Sequence, residues 1–382
     1  MTESVNATPA TAQATTAVLV GQSTVSIWGM SSAERLRRQL SRAGITDVRA
    51  SAEGLEGQAS VVILRLDFAF DQRLIDALAT RSGASLVSGG LAAACSVAGS
   101  QAQAGAGALA NGEAPAGTEV LDSEGLAGSY NRKLRKREIA FVIPLTPESV
   151  KDVEARSFAG SYKGVTDGIT KYVWPVPAKA VTKWCAVRRI TPNQVTYLGL
   201  LLMFVALGLF WEGWYLLGLI PAWIMTFLDT VDGKLARVTM TSSKFGDILD
   251  HGIDLIHPPF WWIAWIIGLP KVGLPVSNPE LLVWIILGGY VVQRLFEGAF
   301  IRLWGFHMHV WRPFDSFFRL ITARRNPNLV ILTLFTLIGR PDWGMIVVCA
   351  WIVLSLVVHL VQLVQGAIVS RSRTLTSWLD AA

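Results

Sequence analysis

The sequence predicts two parts: an all-α membrane domain of six transmembrane helices, entered through an N-terminal amphipathic interfacial helix, and a small cytoplasmic α/β domain before it. Three observations carry this reading. Of 382 residues only 16% are charged, 52% are hydrophobic and 15 are Trp, whereas soluble domains average about 25% charged residues. The apolar content is concentrated after residue 190, in long uncharged runs of Leu, Ile, Val and Trp. Before that point the chain is rich in Ala, Gly and Ser and carries charge throughout.

The expected division is 1–130 as a cytoplasmic α/β domain with a low-complexity loop at 92–118, 131–189 as linker and juxtamembrane helix, and 190–382 as the membrane domain. In the first part, Ala17–Val20 reads as a short strand and a helix opens at Ser31. Ser31 and Glu34 have capping-box spacing, and Gly44 stands where a helix end favours a left-handed residue. The run VVILRLDFAF (61–70) is apolar and β-branched like a buried strand, DQRLIDALATRSG reads as helix, and ASLVSG as a further strand. Strand–helix alternation of this kind suggests a doubly wound sheet. The Ala/Gly-rich stretch 92–118 reads as a mobile loop or linker.

Between Tyr172 and Arg189 the pattern is interfacial. Val181, Trp184 and Cys185 can share one helical face, with Lys179, Lys183, Arg188 and Arg189 around its edges. A helix lying at the lipid headgroups fits this arrangement, and a linker helix packed on protein is the alternative. The apolar runs follow at Val195–Trp211, Gly213–Leu228, Leu255–Pro270, Leu281–Gln293, Leu329–Gly339 and Trp343–Ser370. About 20 residues span a bilayer core, so several runs reach that length only if adjoining charged turns continue the helix.

Charge placement predicts orientation. With entry from the cytoplasm at Thr196, the inside segments hold Arg237, Lys244, Arg302, Arg312, Arg319, Arg324, Arg325, Arg371 and Arg373, and the outside loops only Lys271 and Arg340. This positive-inside bias places both termini and the active site on the cytoplasmic side of the inner membrane. The net charge of +6 comes from residues flanking apolar segments, so it is read as an orientation signal and no nucleic-acid partner is expected. Cys95, Cys185 and Cys349 are too few and too scattered for a disulfide framework or a metal cluster. The first residues lack the basic and apolar regions of a cleaved signal.

The chemistry concentrates in FLDTVDGKLARVTMTSSKFGDILDHGIDLIHPP. Asp229 and Asp232 are three apart at the end of the second apolar helix, and Asp250 and Asp254 are four apart at the start of the third. Both spacings put the members of a pair on one helical face. A hairpin turning near Val238–Lys244 would make the two pairs face each other. Carboxylates cannot converge in a partly dry site without cations, and an all-oxygen set favours Mg2+ or Mn2+ over zinc. Gly233, Ala236 and Gly246 leave room for a bulky ligand near the backbone, and Arg237 adds a fixed cation. Such a site suits a diphosphate substrate.

The segment resembles the CDP-alcohol phosphotransferase signature, D-x2-D-G-x2-A-R-x8-G-x3-D-x3-D, at every fixed position: Asp229, Asp232, Gly233, Ala236, Arg237, Gly246, Asp250 and Asp254. The upstream ITPNQVT (190–196) and the amphipathic helix are also similar to this family, and the resemblance extends over about residues 160–370. It implies transfer of a substituted phosphoryl group from a CDP-alcohol, CDP-diacylglycerol first among them, to an acceptor hydroxyl, with release of CMP, in phospholipid or polar-lipid synthesis. It further implies two Mg2+ or Mn2+ ions held by Asp229, Asp232, Asp250 and Asp254, with Asp254 as the catalytic general base. CDP binding falls to Asp229, Asp232, Gly233, Ala236, Arg237 and Gly246, and family members are commonly homodimers. A soluble CDP-polyol such as CDP-inositol is the alternative donor. A cation-coupled transporter using the aspartates as its ion site is the alternative of another class, and no internal repeat supports it.

Other residues carry less. Asp247 lies near the Asp250 face, and His251 and His257 on the same helix are read as packing residues. Arg319, Arg324 and Arg325 can bind an acceptor phosphate or can serve as orientation signals, and the two readings stand level. Lys163 and Asp167 in SYKGVTDGITKY resemble a stretch found in family members with fused N-terminal domains. Residues 16–90 faintly resemble a nucleotidyltransferase domain, with Asp67 at the position of a metal-binding acid. However, Leu66 replaces the expected glycine and no glycine-rich phosphate loop follows the first strand. The domain is therefore read as degenerate and non-catalytic.

Overall fold

The computed structural model describes residues 14–131, 134–242 and 244–381, with the side chains of Lys244, Phe245, Asp247, Leu249, Asp250, His251 and Ala381 outside the description. The chain divides into two units. One comprises Met1–Asn131, Arg137–Ser161 and Val238–Met240, and the other Arg132–Lys136, Tyr162–Arg237 and Thr241–Ala382.

The first unit is built on a six-stranded mixed sheet. Its strands are β1 (Thr16–Val20), β2 (Asp47–Arg49), β3 (Val61–Arg65), β4 (Ala84–Ser88), β5 (Leu91–Val97) and β6 (Glu119–Leu121), in the spatial order β2-β1-β3-β5-β4-β6. β1 is parallel to β2 and β3, β5 is antiparallel to β3 and β4, and β6 is parallel to β4. Val61–Leu64 are fully buried, which explains why this strand reads as continuously apolar instead of alternating. Helix α1 (Ser32–Arg42) starts where the cap predicts: the Ser31 side chain accepts from the Glu34 N–H, and Gly44 just beyond the helix has φ +87. Helix α2 (Gln72–Thr80) is capped by Asp71, which accepts from the Arg73 N–H.

Two expectations are corrected here. The stretch 92–118 is no loop: it supplies most of β5 and helix α3 (Ala102–Ala110). Its small side chains are what close packing requires. A Cβ on Gly105 would lie 3.2 Å from Ile63 Cδ1, and one on Gly99 only 2.0 Å from the Leu55 carbonyl oxygen. Low complexity thus reflects tight contact between helix and sheet. Nor does the linker expected ahead of the juxtamembrane helix in 131–189 stand apart from the first unit. After the short helix α4 (Ser123–Ala127), residues Arg137–Ser161 cluster with the first unit. There helix α5 (Val150–Gly160) receives the buried Trp28: its backbone N–H donates to Glu154 (2.9 Å) and its indole N–H to Ser157 (2.9 Å).

The second unit is helical. It contains α6 (Pro175–Val187), α7 (Pro192–Trp211), α8 (Tyr215–Val238), α9 (Lys244–Gly268), α10 (Pro279–Trp304), α11 (Pro313–Phe318), α12 (Arg325–Leu337) and α13 (Pro341–Val369). Among the described residues four helices, α7, α8, α10 and α13, are long and apolar enough to cross a membrane. α9 has 25 residues but an acidic first half and an internal Pro258–Pro259 pair. The 13 residues of α12 reach about 20 Å at 1.5 Å per residue, short of the roughly 30 Å hydrocarbon core. α7 opens with a full capping box between Thr191 and Gln194 and with Pro192 at its first position.

The unit's core joins α7, α8 and α9 through aromatics. The Trp265 ring lies 4.9 Å from Phe210 and 4.3 Å from Tyr215, whose hydroxyl donates to the Trp265 carbonyl (2.8 Å). α10 and α13 cross closely at Gly289, where a Cβ would stand 2.4 Å from Ile352 Cγ2. Large apolar side chains such as Leu201, Phe204, Trp284, Leu295 and Val357 face outward, as lipid contact requires. All three cysteines are free and buried.

Candidate active site

α8 and α9 deliver the acids. Asp229 and Asp232 lie within the last three turns of α8, and Asp254 lies within the first three turns of α9. The Asp250 side chain, expected to complete the set, lies outside the described residues, as do those of Asp247 and His251.

The described acids meet through two partners from other helices. Thr196 on α7 donates its hydroxyl to Asp232 Oδ2 at 2.6 Å. Asp232 is 4% exposed, and among the described residues its Oδ1 meets no hydrogen-bond partner. A buried carboxylate oxygen left unpaired is costly, so this atom fits a cation ligand. Arg325, the first residue of α12, spans the other two acids. Its Nη2 donates to Asp229 Oδ2 and its Nη1 to Asp254 Oδ1, each at 2.5 Å. The structure thus brings Asp229 and Asp254 together as the spacing implies, with a guanidinium between them. Gly233 sits one turn from Arg237, whose Nη2 would be 3.1 Å from a Cβ at that position. Ala236, Arg237 and Gly246 are partly buried.

The three arginines expected to act together do not. Of the three, only Arg325 reaches the described aspartates. Arg324 pairs with Glu297 of α10. Arg319 adds positive charge near Asp167, which is buried in the turn before α6. Burial alone would raise the Asp167 pKa, but Arg319, the Thr170 N–H and the Asn326 amide outweigh it and hold the carboxyl below its ordinary value. Asn326 donates to Asp167 Oδ1 at 3.0 Å, so Asp167 anchors the start of α12.

Several of these residues escaped the sequence reading. Thr196 and Glu297 show no local pattern that marks them. Lys234 sits inside the signature but at a variable position, and its ammonium lies 3.5 Å from the centroid of the Tyr162 ring. Burial pushes the Tyr162 hydroxyl up to about 12, so that ring stays neutral. His257 is buried and hydrogen-bonds through Nδ1 to the Ile253 carbonyl at 2.6 Å, a contact within its own helix.

A second polar cluster lies away from the aspartates. Glu297, His309 and His359 offer ligand atoms all within 4.8 Å of one another. Glu297, however, is already shared by Arg324 and Arg294. Two guanidiniums on one carboxylate leave no negative charge for a dication, so this trio reads as buried polar packing.

Fold and site together define a multi-pass helical membrane protein with an acidic polar centre. The sequence pattern of the CDP-alcohol phosphatidyltransferase family matches residues 189–323, the segment that contains this centre. That segment of the chain is thus similar to a family of transferases. It is similar to cholinephosphotransferase 1 of Gallus gallus, 28% identical over 186 residues, covering 45% of this chain and 48% of that protein. It is also similar to ethanolaminephosphotransferase 1 of Homo sapiens (27% over 184 residues, 41% and 45%). A third relative is the archaetidylinositol phosphate synthase of Pyrococcus horikoshii (35% over 118 residues, 31% and 59%). The chain spans about half the length of the relatives it matches.

Proposed function

We propose that the protein transfers a substituted phosphoryl group from a CDP-alcohol, with CDP-diacylglycerol as donor, to the hydroxyl of an acceptor alcohol, releasing CMP in phospholipid or polar-lipid synthesis. The observation that carries this reading is the bridging of Asp229 and Asp254 from two helices by Arg325, in the segment matched by the family and with Asp232 buried three residues from Asp229. Asp229, Asp232 and Asp254, with Asp250, would hold two Mg2+ or Mn2+ ions, which supply charge neutralisation for the diphosphate and for the entering and leaving oxygens. The residues fit such ions because they are oxygen donors and Asp232 Oδ1 is a buried acceptor without a partner among the described residues.

The chain's own residues account for the remaining work. Asp254, with 42% of its side chain exposed, takes the proton of the acceptor hydroxyl as that oxygen attacks the β-phosphorus. The bond from phosphorus to the bridging oxygen breaks in line, and CMP departs with that oxygen. Gly233, Ala236 and Gly246 leave space for the cytidine diphosphate, and Arg237 pairs with its phosphate oxygens. Of Arg319, Arg324 and Arg325, for which acceptor-phosphate binding and membrane orientation stood level, Arg325 is the one proposed to meet the acceptor phosphate, a role supported by its place among the acids.

The finer organisation belongs to the same proposal. α9 and α12 add two further apolar segments to the four long helices to make six, with α12 too short to cross the core by its helix alone, and α6 lies at the headgroups. Both termini and the active site face the cytoplasm at the inner membrane, and the chain works as a homodimer. The domains divide as an N-terminal α/β part, a juxtamembrane segment and a membrane domain from about residue 190. The N-terminal part is non-catalytic, a reading supported by Asp67, whose two oxygens are held by Arg65 at 2.7 and 2.9 Å.

A second donor class has a specific observation behind it. The names of the choline- and ethanolaminephosphotransferase relatives describe movement of a small polar alcohol's phosphate. That favours testing a soluble CDP-polyol such as CDP-inositol alongside the lipid donor. The experiment is incubation of the full-length protein with radiolabelled CDP-diacylglycerol or a CDP-polyol, a panel of acceptor alcohols, and Mg2+ or Mn2+. Metal-dependent CMP release with a labelled product is expected. Cation flux without CMP from any donor would instead identify a transporter.

A further inference from the structure

We propose that Arg325 is a built-in counterion that occupies Asp229 and Asp254 until divalent ions displace it, so that metal entry frees its guanidinium for the substrate's anionic oxygens. The inference rests on reading the aspartates as metal ligands. It adds that the ions must compete for them with a residue of the chain itself.

The geometry is that of a bridge. One guanidinium places a different nitrogen on each of two acids that belong to different helices, both at 2.5 Å. The Arg325 side chain is 13% exposed and that of Asp229 20%, so this half of the bridge is screened weakly by water, while Asp254, 42% exposed, is the half open to solvent. Without a cation the described acids would repel one another, and Arg325 supplies the positive charge in that state. It cannot keep this place beside a divalent ion on the same carboxylates, because like charges a few ångströms apart in a partly dry site repel strongly.

Displacement has to come from the side chain, because the backbone around it is fixed. Arg324 pairs with Glu297 of α10, and the Asn326 amide donates to Asp167 (3.0 Å) and Thr170 (3.2 Å). The Ala323 N–H donates to the Ser355 hydroxyl of α13 at 3.1 Å. The residues on both sides of Arg325 are therefore tied to three separate elements. The long arginine side chain can swing while α12 stays in place, and Glu297 and Asp167 act as positioning residues for it. Because a single guanidinium cannot serve both the carboxylates and a substrate, metal binding and the availability of Arg325 become reciprocally linked.

The test is Mn2+ binding to the full-length protein in detergent, read from the free-ion electron paramagnetic resonance signal with no donor and no turnover. Arg325→Gln removes the competing charge and is expected to bind Mn2+ about tenfold more tightly than wild type, the scale of a typical coupling between sites. Arg325→Lys keeps a charge but cannot bridge both acids, and its affinity should fall between the two. A merely structural arginine predicts the opposite sign, since losing it would let the acids drift apart. Weaker or unchanged binding in folded Arg325→Gln overturns the proposal. If that variant does not fold, binding by Arg325→Lys no tighter than wild type overturns it, as does the absence of Mn2+ binding to wild type. CMP release plays no part in this readout, so tightened binding without any transfer activity would leave this inference standing while the proposed reaction fell.

Discussion

The hydrogen bond from Thr196 to Asp232 offers the sharpest test of how the acidic centre is held. Thr196→Val keeps the side-chain shape but removes the donor that meets Asp232 Oδ2 at 2.6 Å. Asp232 is 4% exposed, and its other oxygen already lacks a partner among the described residues. The variant would thus strip a buried carboxylate of its side-chain donor. Hydrogen bonds to charged groups are worth about 1.5–3 kcal/mol, which is roughly 10- to 100-fold in an equilibrium. Partners that orient metal ligands contribute over a similar range, about 10- to 100-fold in metal affinity. The measurement is CMP release as a function of Mg2+ concentration. The half-saturating Mg2+ concentration should rise by roughly 10- to 100-fold, with the rate at saturation largely retained. An unchanged Mg2+ requirement in the folded variant would refute the view that Asp232 is a metal ligand oriented from α7.

Four further outcomes follow from the geometry. Asp254→Asn should lower turnover by about 10²- to 10⁴-fold, the usual worth of a general base, while Mn2+ binding persists; Asp232→Ala should lose Mn2+ binding itself, measured by the same titration. Asp167→Asn should destabilise the protein by about 1–3 kcal/mol at neutral pH. The native Asp167 pKa is lowered, so its contribution is present above the unfolded carboxyl value of about 3.9 and is lost as pH falls through the native value. Thermal unfolding of the two proteins should therefore differ at neutral pH and converge in acid. Gly289→Ala would drive a Cβ to 2.4 Å from Ile352, and overpacking of this kind costs about 1–3 kcal/mol, visible as a lowered unfolding midpoint.

The placing of Asp229 and Asp232 within one stretch of helix was legible because helical periodicity is local: residues three and four apart share a face whatever surrounds them. The start of α1 was legible for the same reason, through Ser31 and Glu34. What escaped the sequence were partners set by tertiary contact. Nothing near Thr196 announces Asp232, 36 residues away, and nothing near Arg325 announces Asp229, 96 residues away. The reading of Arg319, Arg324 and Arg325 as a group assumed that sequence neighbours point the same way. Between the end of α11 and the first turn of α12 they diverge, toward Asp167, Glu297 and the aspartates. The Ala/Gly-rich stretch failed differently. Composition marks both loops and close-packed contacts, and only the buried Ala92–Ala94 in the sheet tells them apart.

The free thiols give the molecule a native set of opening reporters. Cys95 lies within a sheet strand, Cys185 on the helix before the first apolar span, and Cys349 inside α13, and all three are covered. Burial pushes the Cys95 thiol up to about 12, leaving almost no thiolate at physiological pH. An alkylating reagent can reach each sulfur only when its own element loosens. Tryptic peptides from timed labelling would therefore rank the α/β unit, α6 and α13 by local stability without altering a single residue.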